Sequence, residues 1–170
     1  MVVFWIVAGI VLLFGFVVFF GAPYVPSKRR ELEKVFKELY GLTSRDVLVD
    51  LGSGDGIVLR VAAKTGAKAI GYELNPALVL LSRFFSRGSK NIRIVSANMW
   101  QVQLPPETTV VYVFAVSRDI GKVARKLQSE VNRLRHPISV ISYGCAIPHM
   151  TALRVLGAHH LYTFAPLQPK

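Results

Sequence analysis

Val47-Leu-Val-Asp-Leu-Gly-Ser-Gly-Asp-Gly56 is an apolar run that breaks into three glycines at alternate positions, and a second apolar run from Ala67 closes on Glu73, seventeen residues after the last of them. A strand, a glycine turn opening a helix and an acid closing the next strand together make a nucleotide-binding site. The detail of the turn decides which nucleotide. A dinucleotide fold wants Gly-x-Gly-x-x-Gly, whose third glycine lets the helix dock close to the strand. Here the glycines sit at 52, 54 and 56 and position 57 is isoleucine, which argues against NAD.

The Asp-x-Gly-x-Gly-x-Gly pattern of Asp50 to Gly56 resembles that of the class I S-adenosylmethionine methyltransferases. That cofactor carries no phosphate, so the turn need not cradle an anion, but its amino-acid end and ribose must lie against bare backbone. Glycines permit that approach and accept positive φ. Asp50, Gly52, Ser53, Gly54 and Gly56 are therefore expected to bind the cofactor, with Asp50 fixing the turn and receiving the ammonium directly or through a water. Glu73 is placed to accept both ribose hydroxyls. A glycine-rich turn beside an unrelated surface acid would need the glycines, Asp50 and Glu73 to coincide.

Working outward, eighteen of the first twenty residues are apolar, the other two are Gly9 and Gly15, and no charge occurs before Lys28. About twenty such residues span a bilayer core as a helix, and the fifteen Val, Ile, Leu and Phe among them contribute roughly 5 to 9 kcal/mol to insertion. A secretory signal peptide would want a basic start, a shorter apolar stretch and a small-residue cleavage site. An uncleaved anchor over residues 1–22 is favoured, with a linker and amphipathic helix over 23–45 and the catalytic domain over 46–170. Lys28, Arg29 and Arg30 follow the span directly, so the domain is expected on the cytoplasmic side of a single-pass membrane protein.

Every Lys, Arg, Asp and Glu lies at or beyond Lys28, so the net charge of +11 belongs to the part outside the apolar stretch. Such a surplus draws a domain onto an anionic lipid surface at about 1 kcal/mol per well-placed cation. The same charge would suit RNA, but the anchor favours the membrane over nucleic acid. One cysteine, Cys145, excludes an internal disulfide and any cysteine-rich zinc site, and is expected to be a small buried apolar residue.

Ser27 is expected to cap a helix whose Leu32, Val35, Phe36, Leu39 and Tyr40 recur at helical spacing until Gly41. Strands are predicted at 46–51, 67–73, 92–96, 109–116 and 138–144. Helices are predicted at 56–64, 76–87 and 118–135, the second with Pro76 in its first turn. Runs at 152–156 and 160–165 would close the sheet as an antiparallel pair. The alternation gives an α/β fold: a Rossmann-like, doubly wound, mostly parallel sheet preceded by one N-terminal transmembrane helix.

Further motifs agree with a narrower family. Gly21-Ala-Pro-Tyr-Val-Pro-Ser27 after the apolar span, the glycine turn, Gly71-Tyr-Glu-Leu-Asn-Pro76 with Ser82-Arg83, and Asn98-Met-Trp100 resemble the membrane-anchored protein-lysine methyltransferases. That family modifies the ADP/ATP carrier and the c-subunit of ATP synthase. The resemblance implies that Tyr24, Pro26 and Ser27 form a lid near the cofactor's methionine end, and that Asn98 and Met99 meet the adenine with Trp100 lining that pocket. Two departures stand out. The family usually has Asp at position 98, though an amide oxygen still accepts from the adenine amino group. It typically carries a Val-Pro-Gln type segment after strand four, where this chain has Val116-Ser-Arg-Asp119. Ile147-Pro-His149 is similar to a family segment at the lip of the active site.

Methyl transfer from a sulfonium is an in-line displacement whose demands are alignment and exclusion of water, so no catalytic triad is expected and no general base is assigned. The implied function is lysine methylation of a membrane-associated protein. Methylation of a membrane lipid or quinone-like molecule, and a non-catalytic cofactor-binding module, are the alternatives. His159-His160 has no neighbouring Cys, Asp or Glu, and adjacent strand residues face opposite ways, so no metal site is expected. His149 reads as a substrate contact or as a loop histidine capping backbone. The basic helix with Lys122, Arg125, Lys126, Arg133 and Arg135 reads most simply as a solvated face, with lipid or an acidic partner as its other possible contact.

Overall fold

The computed structural model describes residues 1, 4–5, 27–114 and 116–167. Most of the apolar segment 1–22, and with it Tyr24 and Pro26, lies outside the described residues. Among the described residues no helix is long and apolar enough to cross a membrane.

The chain enters through α1 (Arg29–Lys34), which runs into a π-helical turn (Val35–Leu39). It continues as β1 (Val47–Leu51), α2 (Ile57–Ala63), β2 (Lys68–Glu73), α3 (Pro76–Ser86), β3 (Ile92–Ser96), β4 (Val110–Phe114), α4 (Ile120–Leu134), β5 (Ile138–Tyr143), β6 (Arg154–Leu156) and β7 (His159–Phe164). The strands form one seven-stranded sheet in the order β3-β2-β1-β4-β5-β7-β6. The first five are mutually parallel, and β7 runs antiparallel between β5 and β6. The order reverses between β1 and β4, which opens a crevice at their carboxyl ends, the usual ligand position in an open α/β sheet.

Both faces of the central strands are covered, which is why β1 reads as an uninterrupted apolar run apart from Asp50. On one face Leu48, Ala69, Val110 and Ile141 pack under Leu32, Val35, Phe36 and Leu39 of the first helix and Val58, Leu59 and Val61 of α2. On the other, Val49, Leu51, Val111, Val113 and Val140 pack under Ile120, Val123, Leu127 and Val131 of α4. Among the described residues no helix joins β3 to β4. That part of the second face is covered instead by Leu104, with the half-buried Met99, Trp100 and Val102 beside it.

The helical spacing of Leu32, Val35, Phe36 and Leu39 is matched by their burial, and Gly41 at φ +74° ends the helix. The expected capping by Ser27 is not found. The capping position belongs to Lys28, extended at φ −80° and ψ 127°, and no described side chain caps the helix. Element ends differ from the sequence reading by one or two residues where a cap or turn intervenes. The helix expected from 118 starts at Ile120 because residues 117–119 form a turn closed by Asp119 N–H onto the Val116 carbonyl at 2.9 Å.

Candidate active site

The glycine turn grows out of the end of β1 and is tied to β2: the N–H groups of Gly52 and Ser53 both donate to the Tyr72 carbonyl, at 2.9 and 3.0 Å. Gly52, Gly54 and Gly56 have φ of +88°, +53° and +79°, backbone conformations that L-residues with side chains rarely adopt. Their surroundings differ. At Gly52 a β-carbon would meet nothing within 4 Å, so this stretch of backbone is open to a ligand. At Gly56, which caps α2, it would collide with the buried Ser82 hydroxyl of α3.

The close docking of α2 that a dinucleotide fold obtains from its third glycine is obtained here at Gly71 on β2. A β-carbon on Gly71 would lie 2.5 Å from Ser53 Oγ and 2.6 Å from Leu59 Cδ1. Gly71 and Ser82 therefore shape the site from outside the glycine turn. Sequence reasoning finds both within a longer motif and assigns neither a role. The signal for Gly71 is a glycine inside a strand, which often marks a close approach of another chain segment.

Glu73 ends β2 with its carboxylate aimed at the turn. Oε2 accepts the Gly54 N–H at 2.8 Å and Oε1 accepts the Asn75 N–H at 2.8 Å. Each carboxylate oxygen retains acceptor capacity beyond these bonds. Asn75 holds this corner in place: it is the N-cap of α3, its Oδ1 accepts from Ala77 N–H at 3.0 Å, and Pro76 takes the first helical position. Sequence reasoning does not count Asn75 among the site residues, although an Asn-Pro pair before an apolar run is a helix-start signal.

Asp50 lies deep in β1, 3% exposed, opposite Gly71 on one side and Tyr112 on the other. Burial pushes its carboxyl well above the usual aspartate range, and the charges of Glu73 and Asp55 push it further. Carboxylates thus gather on this side of the turn, an arrangement suited to a positively charged ligand. Ser53 Oγ is buried beside them and, like Ser82 Oγ, has no hydrogen-bond partner among the described residues. An open backbone stretch, an unpartnered hydroxyl and acids already crowding one another fit a cofactor that presents hydroxyls and an ammonium.

Asn98, Met99 and Trp100 follow β3 and are all half-buried. Asn98 closes a small turn by accepting the Trp100 N–H on Oδ1 at 3.0 Å, while its carbonyl accepts the Gln101 N–H at 2.9 Å. Met99 and Trp100 pack against the second core. The basic face of α4 and its end is solvated as read, with Lys122, Arg125, Arg133 and Arg135 exposed, but three of its cations also make internal contacts. Lys122 Nζ stands 4.0 Å from the centre of the Trp100 ring, Lys126 donates to the Val102 carbonyl, and Arg133 donates to the Leu104 carbonyl at 2.6 Å. Buried Glu130 accepts from Leu104 N–H at 2.8 Å and pairs with Arg133. These contacts hold the helix-free connection in place, and apolar periodicity gives no sign of them.

Other predicted residues fall as follows. Ser27 is half-buried at the start of the described N-terminal segment, and Tyr24 and Pro26 lie outside it. His159 is buried, bonded to Tyr112 Oη at 3.0 Å through Nε2 and stacked on Tyr143, whereas His160 stacks on Tyr162, so the two rings take separate neighbours. Cys145 is half-buried rather than buried, because it follows the sheet's last parallel strand into a loop. His149 adopts a left-handed φ of +60° in that loop.

The family model described as the ANTKMT methyltransferase domain matches residues 50–154, which run from the buried aspartate of β1 into β6. This chain belongs to that family. The ATP synthase c-subunit lysine N-methyltransferase of Homo sapiens is 36% identical over 79% of this chain and 57% of its own length. Adenine nucleotide translocase lysine N-methyltransferase from Mus musculus is 35% identical over 64% of this chain and 48% of its own. The chain thus spans about half the length of these relatives. It also superimposes on an RNA methyltransferase from Salinibacter ruber in complex with S-adenosyl-L-homocysteine. The TM-score is 0.74 at 24% identity, covering 86% of this chain and 97% of that one, which is a likeness of fold.

Proposed function

We propose that the chain is an S-adenosylmethionine-dependent methyltransferase that methylates a lysine of a membrane-associated protein. One observation carries the cofactor reading: the Glu73 carboxylate is held against the glycine turn by Gly54 N–H, beside open backbone at Gly52. In this reading Asp50, Gly52, Ser53, Gly54 and Gly56 face the methionine end and ribose, and Glu73 accepts the ribose hydroxyls. Asn98, Met99 and Trp100 border the adenine, and Tyr24, Pro26 and Ser27 cover the methionine end. The lysine reading draws its support from the names of the relatives, which specify the ATP synthase c-subunit and adenine nucleotide translocase.

The bound cofactor supplies an electrophilic methyl on a sulfonium. The protein's own residues align it and exclude water, and the half-buried Met99, Trp100 and Ser27 suit the second task. A lysine acceptor reacts as the neutral amine, which costs about 4.6 kcal/mol at pH 7 for an ordinary side chain. The basic surface of this chain lowers that cost, and it disfavours an acceptor segment rich in further lysines. A lysine near lipid headgroups meets both conditions. In the same reading residues 1–22 form a single-pass anchor, with Lys28 to Arg30 on the cytoplasmic side.

The test supplies full-length protein with radiolabelled cofactor and its own membranes. Label in a protein band that is lost with Glu73→Ala supports the reading. Label confined to lipid would assign a lipid acceptor instead, and absence of cofactor binding by calorimetry would leave a non-catalytic module.

A further inference from the structure

α3 is built inside out. Its inward positions are Asn75 at the cap, Val79, Ser82 and Ser86, three of them polar, while Leu80, Leu81, Phe84 and Phe85 point outward at 66%, 40%, 55% and 52% exposure. Small inward serines bring the helix close to its neighbours, as the contact of Ser82 with Gly56 shows. Nothing in that packing calls for four large apolar side chains on the outside. A contiguous exposed patch of this kind marks a binding surface.

The surrounding charge says what binds. No Asp or Glu occurs between Glu73 and Glu107, while Arg83, Arg87, Lys90 and Arg93 do. Arg87 lies over the Phe84 ring at 4.3 Å and Arg60 over the Phe85 ring at 5.3 Å, so cations border the aromatic patch. Beside Phe85 a cleft is lined by Arg60, Lys64, Arg87 and Ser89. Among the described residues, two carboxylates reach this cluster: Asp55, at 3.1 Å from Arg60, and Glu33, at 3.8 Å from Lys64. The Lys64–Glu33 pair is half exposed and therefore weak, whereas the Arg60–Asp55 pair is about four-fifths buried and commits Arg60.

We propose that the outer face of α3 docks on an anionic phospholipid surface: Leu80, Leu81, Phe84 and Phe85 enter the headgroup–acyl boundary while the exposed Lys64, Arg83 and Arg87 meet lipid phosphates. Leu and Phe on one face with Arg around it are the composition of an in-plane interfacial helix. A protein partner's apolar groove would meet the same side chains but would leave the excess of cations around them unexplained. Docking of this face depends neither on the reaction assigned above nor on whether residues 1–22 span a bilayer.

The test uses full-length protein with Cys145→Ser and Leu80→Cys, carrying an environment-sensitive dye at position 80, in phosphatidylcholine nanodiscs with and without phosphatidylserine. A second label at Ser129→Cys, exposed on α4, serves as the control. With phosphatidylserine the position-80 dye shifts to the blue and is quenched by acyl-brominated lipid, and the position-129 dye is not. At about 1 kcal/mol, or roughly fivefold, per surface cation, neutralising Arg83 and Arg87 together weakens docking about 25-fold. Three outcomes overturn the proposal. Water-like emission at position 80 in the anionic discs places the face in solvent. Blue emission that brominated lipid does not quench assigns it to a second copy or to the chain's own N-terminal residues. Equal quenching at both positions removes α3 as the docking element.

Discussion

Asp50 is the residue whose behaviour most sharply separates stability from function. Its carboxyl is buried among other acids, so the folded protein binds that proton more tightly than the unfolded chain does. A raised folded value makes the contribution to stability complete below the ordinary aspartate pKa and lost as pH rises through the folded value. Asp50→Asn should therefore raise the melting temperature of cofactor-free protein at neutral pH and flatten its fall above about pH 4. The same change should weaken cofactor binding, since losing a charge-assisted contact of roughly 1.5 to 3 kcal/mol means about 10- to 150-fold in dissociation constant by calorimetry. In the wild type, cofactor affinity should decline on acidification at a higher pH than an unperturbed carboxylate would give. Gly71→Ala checks the other side of the turn. A methyl there displaces Ser53 and Leu59, so we expect a loss of about 1 to 3 kcal/mol in urea unfolding together with weaker cofactor binding. The sequence displays the glycines and both acids because each is required by type. It conceals Gly71, Asn75 and Ser82 as site-shaping residues because their roles exist only once α2, α3 and β2 are in contact.

Among elements, α4 and the connection from β3 to β4 act together. Glu130 is buried and joins the Leu104 N–H to Arg133, which in turn holds the Leu104 carbonyl. Arg133 is exposed, so removing Glu130 chiefly leaves the buried Leu104 N–H unpaired, which costs about 1 to 3 kcal/mol. Glu130→Ala should lower the melting temperature by roughly 2 to 12 °C for a chain of this size. It should also speed amide hydrogen exchange over residues 98–104 before it affects β1. Lys122→Ala, which removes only the cation over Trp100, should leave the melting temperature within about 2 °C and change the tryptophan emission. Sequence reading places each strand and helix to within a few residues because their apolar periods are strong. It describes α4 as solvated, which holds for Arg125 and Arg135, and misses the bond of Lys126 because a lysine that folds back on a carbonyl looks, in sequence, like one that faces water. The π-helical turn at Val35–Leu39 and the Lys28 cap are likewise invisible to it, since both depend on where α1 must end to meet the sheet.

For the molecule as a whole, a mostly parallel sheet with an antiparallel closing pair follows from the alternation of strand and helix patterns, while the strand order with its reversal between β1 and β4 comes from the structure. What also does not follow is how the charge is distributed. A formal surplus of +11 treats every cation as available to a partner. Lys126 and Arg133 already serve backbone carbonyls and Lys122 an indole ring, so part of the surplus is committed within the protein itself. On a heparin column the chain should consequently elute at lower ionic strength than its isoelectric point suggests, and Glu130→Gln, which removes the carboxylate beside Arg133, should retard it. The connection along α4 thus acts as internal ballast, tying up three cations that a charge count would assign to a partner.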